Sequence, residues 1–232
     1  MQSHNRGAAF LNQDNSEHLM TDEVIKVLLV DDHAMVRNGV QRMLETDSKI
    51  RVLGQAANAN EAIQLVRNAK FDVAIIDVSL PGKNGIELLK TMRVESPKLP
   101  VLMLSAYSEE VYAIRSIKNG AVGYLTKDSE AVVLVSAVRA AADGGKYITP
   151  TLAEKLAELL TGSARSSHQM LSDRELEVLK LIAQGETLNV IANKMHLSPH
   201  TVTTYRARIL KKTGLSGNAT LAIYARETGI LN

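Results

Sequence analysis

Between residues 24 and 142, short apolar runs alternate with longer amphipathic stretches, and this alternation constrains the fold more than any other feature. IKVLLV is followed by a helix-like stretch over 34–46, IRVLGQ by 58–70, DVAIID by 84–95, PVLMLS by 107–118 and AVGYLT by 129–142. Strands that are apolar almost throughout, rather than alternating, need cover on both faces. Five such strand-then-helix units predict an α/β fold, a doubly wound five-stranded parallel sheet with helices on both sides.

In such sheets ligands gather beyond the carboxyl ends of the strands. Asp31 and Asp32 follow the first run, Asp77 the third, Ser105 the fourth and Lys127 the fifth. In VAIIDVSLPG, an apolar strand runs straight up to Asp77 and breaks on a proline and a glycine. A lone aspartate there reads as a turn residue. Three carboxylates, a hydroxyl and an ammonium delivered to one edge read as a site.

Three converging carboxylates must share a proton or hold a cation. An oxygen-only donor set suits Mg²⁺, which takes one or two carboxylates and keeps several waters. Asp31, Asp32 and Asp77 bring about −3 and Mg²⁺ with Lys127 about +3, so the filled site is close to neutral. That arrangement suits phosphoryl transfer to a carboxylate, with Asp77 as nucleophile and Ser105 and Lys127 drawn to the new group. An enzyme reading, a phosphatase or a nucleotide-binding protein, is disfavoured: the chain has no GxxxxGK[ST] loop, and Ser79 stands where a second aspartate would follow Asp77.

The 232 residues suffice for two domains. Residues 1–23 are polar and aperiodic and are expected to form a disordered tail, with Met1 and Met20 as alternative starts. The first domain is placed at 24–142, a linker with a short helix from Pro150 at 143–167, and a small all-helical domain at 168–232. Zero cysteines exclude disulfides and thiolate zinc sites and fit a reducing cytoplasm. No apolar run approaches the roughly 18 residues of a membrane span.

Helical stretches are expected in the second domain at 172–184, 187–195, 199–213 and 217–231. Ser172 and Glu175 have capping-box spacing. Ser198 and Pro199 stand where a cap and a first helical residue belong, so a tight turn joins the second and third helices in a helix-turn-helix. Residues 199–213 carry Arg206, Arg208, Lys211 and Lys212 with no acidic residue. With Val202, Ile209 and Leu210 turned inward, the outer face offers His200, Thr201, Thr203, Thr204, Ala207, Arg208, Lys211 and Lys212. Short side chains that permit close approach, flanked by long basic ones, suit double-stranded DNA.

VLLVDDH, IIDVSLPGKNG, MLSA and GYLTK, in this order and spacing, resemble the receiver domain of bacterial two-component response regulators, a flavodoxin-like fold. The resemblance implies Asp77 as phosphoacceptor, Asp31 and Asp32 with the Ser79 carbonyl and Asp77 around magnesium, and Ser105, Tyr124 and Lys127 as switch residues. LSDRELEVLKLIAQGETLNVIANKMHLSPHTVTTYRARILKKTG resembles the LuxR-type helix-turn-helix domain, and the pairing is that of the NarL and FixJ class. It implies a phosphorylation-dependent transcription regulator rather than an enzyme, with a sensor histidine kinase as donor, promoter DNA as target and RNA polymerase as a further contact. Many members have Lys where Thr203 stands and His where Tyr205 stands, so base preference is not carried over. In the class the last helix pairs two such domains, which points to Leu221, Ala222, Ala225 and Leu231 for a homodimer. Phosphorylation would then shift a balance between a form with an occluded DNA-binding face and one that dimerises on DNA. A competing reading keeps DNA binding but makes the first domain an unphosphorylated interaction module.

Overall fold

The computed structural model describes residues 24–106, 109–160 and 171–231; the expected tail at 1–23 lies outside them, as does most of the expected linker around SARSSHQ. Five parallel strands, β1 (Ile25–Val30), β2 (Ile50–Ala56), β3 (Val73–Asp77), β4 (Val101–Ser105) and β5 (Gly123–Thr126), form one sheet in the order β2-β1-β3-β4-β5. The order reverses between β1 and β3, which opens a crevice beyond their carboxyl ends. β3 and β4 are buried at every position, whereas edge strand β2 alternates and leaves Leu53 exposed.

Helices α1 (Ala34–Leu44) and α5 (Ala131–Ala142) cover one face of the sheet, while α2 (Ala59–Asn68), α3 (Gly85–Glu95) and α4 (Glu109–Lys118) cover the other. Alternate strand residues therefore feed two cores. Val27, Leu29, Ile75, Leu102 and Leu104 meet Val40, Leu44, Leu134 and Val138. Leu28, Val30, Ala74, Ile76 and Met103 meet Ala62, Leu88, Leu89 and Met92. Each fully buried Leu or Ile stabilises by about 1.5–3 kcal/mol. Helix starts follow from local chemistry: Asn58 and Asn84 accept from the amides of Glu61 and Glu87, both at 3.0 Å.

Residues 143–160 depart from a loose linker. The Tyr147 amide donates to the Val122 carbonyl at 2.8 Å, and α6 (Pro150–Leu160) packs on α4 with Leu152 wholly buried. Leu152 and Leu156 of this helix are spent on the core that faces α4.

The C-terminal domain holds α7 (Asp173–Ala183), α8 (Leu188–Met195), α9 (Pro199–Thr213) and α10 (Asn218–Glu227). Ser172 and Glu175 form the expected capping box. The last helix ends at Glu227 rather than 231, because Gly229 takes φ 68° and the Leu231 amide turns back to the Ala225 carbonyl at 2.9 Å. The C-terminal domain docks through α7 against α3 and α4, and the α2–α4 core runs on without a break into Leu176 and Leu179.

Candidate functional site

The acidic pocket forms where the carboxyl ends of β1 and β3 diverge. Asp31 and Asp77 are buried and Asp32 is partly exposed. Asp77 Oδ1 accepts from the Ser79 amide at 3.2 Å, and Asp31 Oδ1 accepts from the His33 amide at 2.8 Å. Lys127 Nζ lies 2.7 Å from Asp77 Oδ2 and 2.6 Å from Asp31 Oδ2, bridging the two strands. The Lys127 amide donates to the Ser105 carbonyl at 2.7 Å, which fixes the start of the β5–α5 loop beside β4.

Burial pushes the Asp77 carboxyl above its ordinary value, with Lys127 pulling it down and Asp31 adding to the rise. Burial alone would lower the Lys127 ammonium, but Asp77 and Asp31 together outweigh it and hold the amine above its ordinary value. An ammonium wedged between two buried acids thus offsets part of what burial costs the Asp77 carboxylate.

Asp31, Asp32, His33 and Asp77 each offer one ligand atom, all within 4.8 Å of one another. The donor set is rich in carboxylate oxygen and fits a hard divalent cation. It is not oxygen-only, however: His33 Nδ1 lies 2.8 Å from Asp32 Oδ1 and 3.4 Å from Asp31 Oδ1. His33 stands directly after the acid pair in VLLVDDH, but the sequence alone does not show that its ring turns back onto both carboxylates.

The remaining first-domain candidates fall around this pocket or behind it. Ser79 is exposed on the loop after β3, Ser105 is buried at the end of β4, and the Tyr124 ring is wholly buried on the α4 side of the sheet. Gly85 escaped the sequence reading. A Cβ there would stand 2.0 Å from the Asp77 carbonyl oxygen, so α3 approaches the site only because residue 85 is glycine.

In the second domain, α8 ends in His196 at φ 53°, and α9 begins with Ser198 accepting from the Thr201 amide at 3.1 Å. Ile191, Ala192, Met195, Val202 and Ile209 are buried. His200, Thr203, Ala207, Arg208 and Lys211 are exposed, and Thr201, Thr204 and Lys212 half-buried. The expected occlusion of this face is therefore not what docking does here: α7 meets the first domain, and α9 keeps its outer side chains in water.

Two expectations for the second domain change. The basic helix was expected to lack an acidic partner, yet Lys212 Nζ lies 2.6 Å from Glu175 Oε2 of α7. Glu175 lies outside 199–213, so a count within the helix misses it. Leu221 and Ala225 are wholly buried in their own domain and cannot face a second copy; Ala222 and Leu231 are half-buried, and Ile223, at 58%, is the exposed large hydrophobic residue of α10. The helical period placed the larger apolar residues together, but that side packs on α7.

Residues 27–139 match the response regulator receiver domain, and residues 169–225 match the bacterial regulatory proteins of the luxR family. Response regulator GacA of Pseudomonas syringae pv. syringae (strain B728a) is 35% identical over 211 residues, covering 90% of this chain and 99% of GacA. Response regulator UvrY of Escherichia coli (strain K12) is 33% identical over 211 residues, covering 90% of this chain and 97% of UvrY. Among solved structures, the RcsB response regulator of Salmonella typhimurium shares the fold with a TM-score of 0.69 at 24% identity, covering 89% of this chain and 99% of RcsB. With both domains matched in order and relatives matched over nearly their whole length, the chain belongs to the DNA-binding two-component response regulators of the NarL and FixJ class.

Proposed function

We propose that Asp77 accepts a phosphoryl group from a phosphohistidine of a sensor histidine kinase, and that its phosphorylation sets how the C-terminal domain occupies promoter DNA. The supporting observation is the buried triangle of Asp77, Asp31 and Lys127, with the ammonium 2.7 Å and 2.6 Å from the two acids. In the transfer, an oxygen of Asp77 bonds to phosphorus as the phosphorus–nitrogen bond breaks, and the imidazole leaves with a proton. Mg²⁺ held by Asp31, Asp32, Asp77 and the Ser79 carbonyl would screen the phosphoryl oxygens. The Ser79 amide holds Asp77 Oδ1 in place, and Lys127 is near enough to follow charge from Oδ2 onto a phosphoryl oxygen.

Phosphorylation replaces one negative charge with roughly two and adds acceptor oxygens. Lys127 and the Ser105 hydroxyl are drawn toward them, and Tyr124, on β5, follows the vacated space. The reading is regulatory, cytoplasmic and not enzymatic; hydrolysis of its own acyl phosphate would return the resting state. No helix among the described residues is long and apolar enough to cross a membrane.

On DNA, α9 would enter the major groove. The Thr203 and Thr204 hydroxyls donate to the Pro199 and His200 carbonyls at 2.9 and 3.0 Å, which leaves their methyls and oxygen lone pairs for base edges. Arg208 and Lys211 would hold phosphates, with His200, Thr201 and Ala207 permitting close approach; Lys212 would first have to release Glu175. Two domains paired through Ile223, with Ala222 and Leu231 at the edge of the contact, would read two half-sites, and RNA polymerase is a further partner at promoters.

The test compares wild type with Asp77→Asn after incubation with a small phosphodonor and Mg²⁺. Wild type should incorporate about one phosphate and the variant none. Equal incorporation would end the assignment.

A further inference from the structure

His33 stands at the N-cap of α1, where the backbone is extended at φ −88° and ψ 105°, and its side chain makes no capping hydrogen bond. Ser, Thr, Asp and Asn are favoured at such a position because their short side chains accept from the amides of the first turn. The imidazole instead turns back over the acid pair, with Nδ1 2.8 Å from Asp32 Oδ1 and 3.4 Å from Asp31 Oδ1. The start of α1 draws no cap from this side chain, and the pocket acquires a nitrogen.

That nitrogen lies where Lys127 does not reach. The ammonium is 2.6 Å from Asp31 Oδ2 and 2.7 Å from Asp77 Oδ2, whereas the imidazole meets Asp31 through Oδ1, the oxygen that also accepts from the His33 amide at 2.8 Å. A carboxylate oxygen has room for more than one such contact, so an ammonium and a metal ion need not compete for one atom of Asp31. The Asp32 and His33 side chains are 32% and 65% exposed, against 1% for those of Asp31 and Asp77, so a hydrated ion reaches the cluster from their side. Donor atoms on adjacent corners of an octahedron with ~2 Å bonds stand about 3 Å apart. The two distances from Nδ1 bracket that spacing.

We propose that His33 Nδ1 is a metal ligand that lets the acidic pocket take a first-row transition ion such as Ni²⁺ in preference to Mg²⁺. This rests on the reading of the pocket as a divalent-cation site and adds the class of ion that the pocket selects. Mg²⁺ is hard, gives up its waters reluctantly and gains little from imidazole. Ni²⁺ binds imidazole well and stands high in the order of affinities of divalent first-row ions. One nitrogen among carboxylate oxygens therefore widens the gap between the two ions. A plain hydrogen bond from the ring to Asp32 would have the opposite consequence: an ion would have to displace the ring, and removing the ring would favour every cation.

The experiment titrates NiCl₂ and, separately, MgCl₂ into the full-length protein by calorimetry at fixed pH and ionic strength, for wild type, His33→Asn, His33→Ala and Asp32→Asn. Only Ni²⁺ that excess Mg²⁺ displaces is counted, which sets aside the other histidines. His33→Asn should weaken Ni²⁺ about ten-fold or more, since loss of even a partner that orients a ligand costs that much, and should leave Mg²⁺ near wild type. Asparagine can cap α1, so this variant keeps the start of the helix. His33→Ala should lose Ni²⁺ to the same extent. Pulsed EPR of one equivalent of Mn²⁺ should show nitrogen modulation from a bound imidazole in wild type and none in either His33 variant. Ni²⁺ affinity unchanged by both substitutions, equal weakening of the two ions, tighter binding of both, or no nitrogen modulation in wild type would overturn the role of His33 and leave the pocket standing. Binding of neither ion by wild type, or equal binding by wild type and Asp32→Asn, would overturn the reading of the pocket itself.

Discussion

A methyl group on residue 85 would meet the Asp77 carbonyl oxygen at 2.0 Å, and the atoms it meets, in Asp77 and Val78, are backbone that cannot swing aside as a side chain would. Gly85→Ala must therefore push α3 away from β3 and tilt the Asp77 loop. We expect a loss of about 2–3 kcal/mol in urea unfolding and markedly slower incorporation from a phosphodonor, since overpacking of this kind carries that order of cost. Unchanged stability and incorporation would mean the loop relaxes freely. This constraint could not be read from SLPGKNG, because a glycine at the start of a helix says nothing of what lies behind its Cα. Asp77, Asp31 and Lys127 were legible for the opposite reason: each ends an apolar strand, and parallel strands bring their ends to one edge. His33 shares that address, but its ring reaches Asp31 and Asp32 only through the turn into α1, which spacing does not show.

At the scale of elements, the capping box at Ser172 does more than start a helix. Glu175 Oε2 accepts from the Ser172 amide at 2.7 Å and from Lys212 Nζ at 2.6 Å, so one buried carboxylate joins the first turn of α7 to the last turn of α9. Burial alone would raise the Glu175 carboxyl, but Lys212 and the Ser172 amide overcome it and hold the group below its ordinary 4.5. A carboxylate with a depressed value stabilises the fold above its unfolded pKa, and that contribution fades as pH falls through the folded one. Glu175→Gln should cost about 1–2 kcal/mol in thermal unfolding of the C-terminal domain at pH 7, in line with hydrogen bonds to charged groups. The difference from wild type should close below pH 4.5; a difference that persists unchanged into acid would show that shape, not charge, holds the contact. The sequence disclosed the cap because its spacing is local. It hid the Lys212 partner and the inward turn of Leu221 and Ala225, since both depend on how α7 packs against α9 and α10.

At the scale of the whole molecule, the two domains are legible as units, and their joint arrangement is not. Nothing in the spacing of LSDRELEVLK shows that Asp173, Arg174, Glu177 and Lys180 would be spent on α3, α4 and the loop after Asp77, nor that α6 would lie on α4. The docked form leaves the outer side chains of α9 in solvent, so control of DNA binding falls to where the second domain is held and whether two copies can meet, rather than to cover over the recognition face. A phosphate can move such an equilibrium only by stabilising one state more than the other. If docking limits pairing on DNA, Arg174→Ala should bind DNA more tightly than wild type before any phosphate is added, in a mobility-shift titration at fixed salt. A variant with unchanged affinity would place the control elsewhere.

The most direct measurement is a footprint of the full-length protein on genomic DNA, with and without phosphodonor and Mg²⁺, for wild type and Asp77→Asn at one salt concentration. The account predicts that phosphodonor increases occupancy at discrete sites for wild type and leaves Asp77→Asn at its basal level. Equal gains for the two proteins, or no change in wild type once phosphate incorporation is verified, would contradict it.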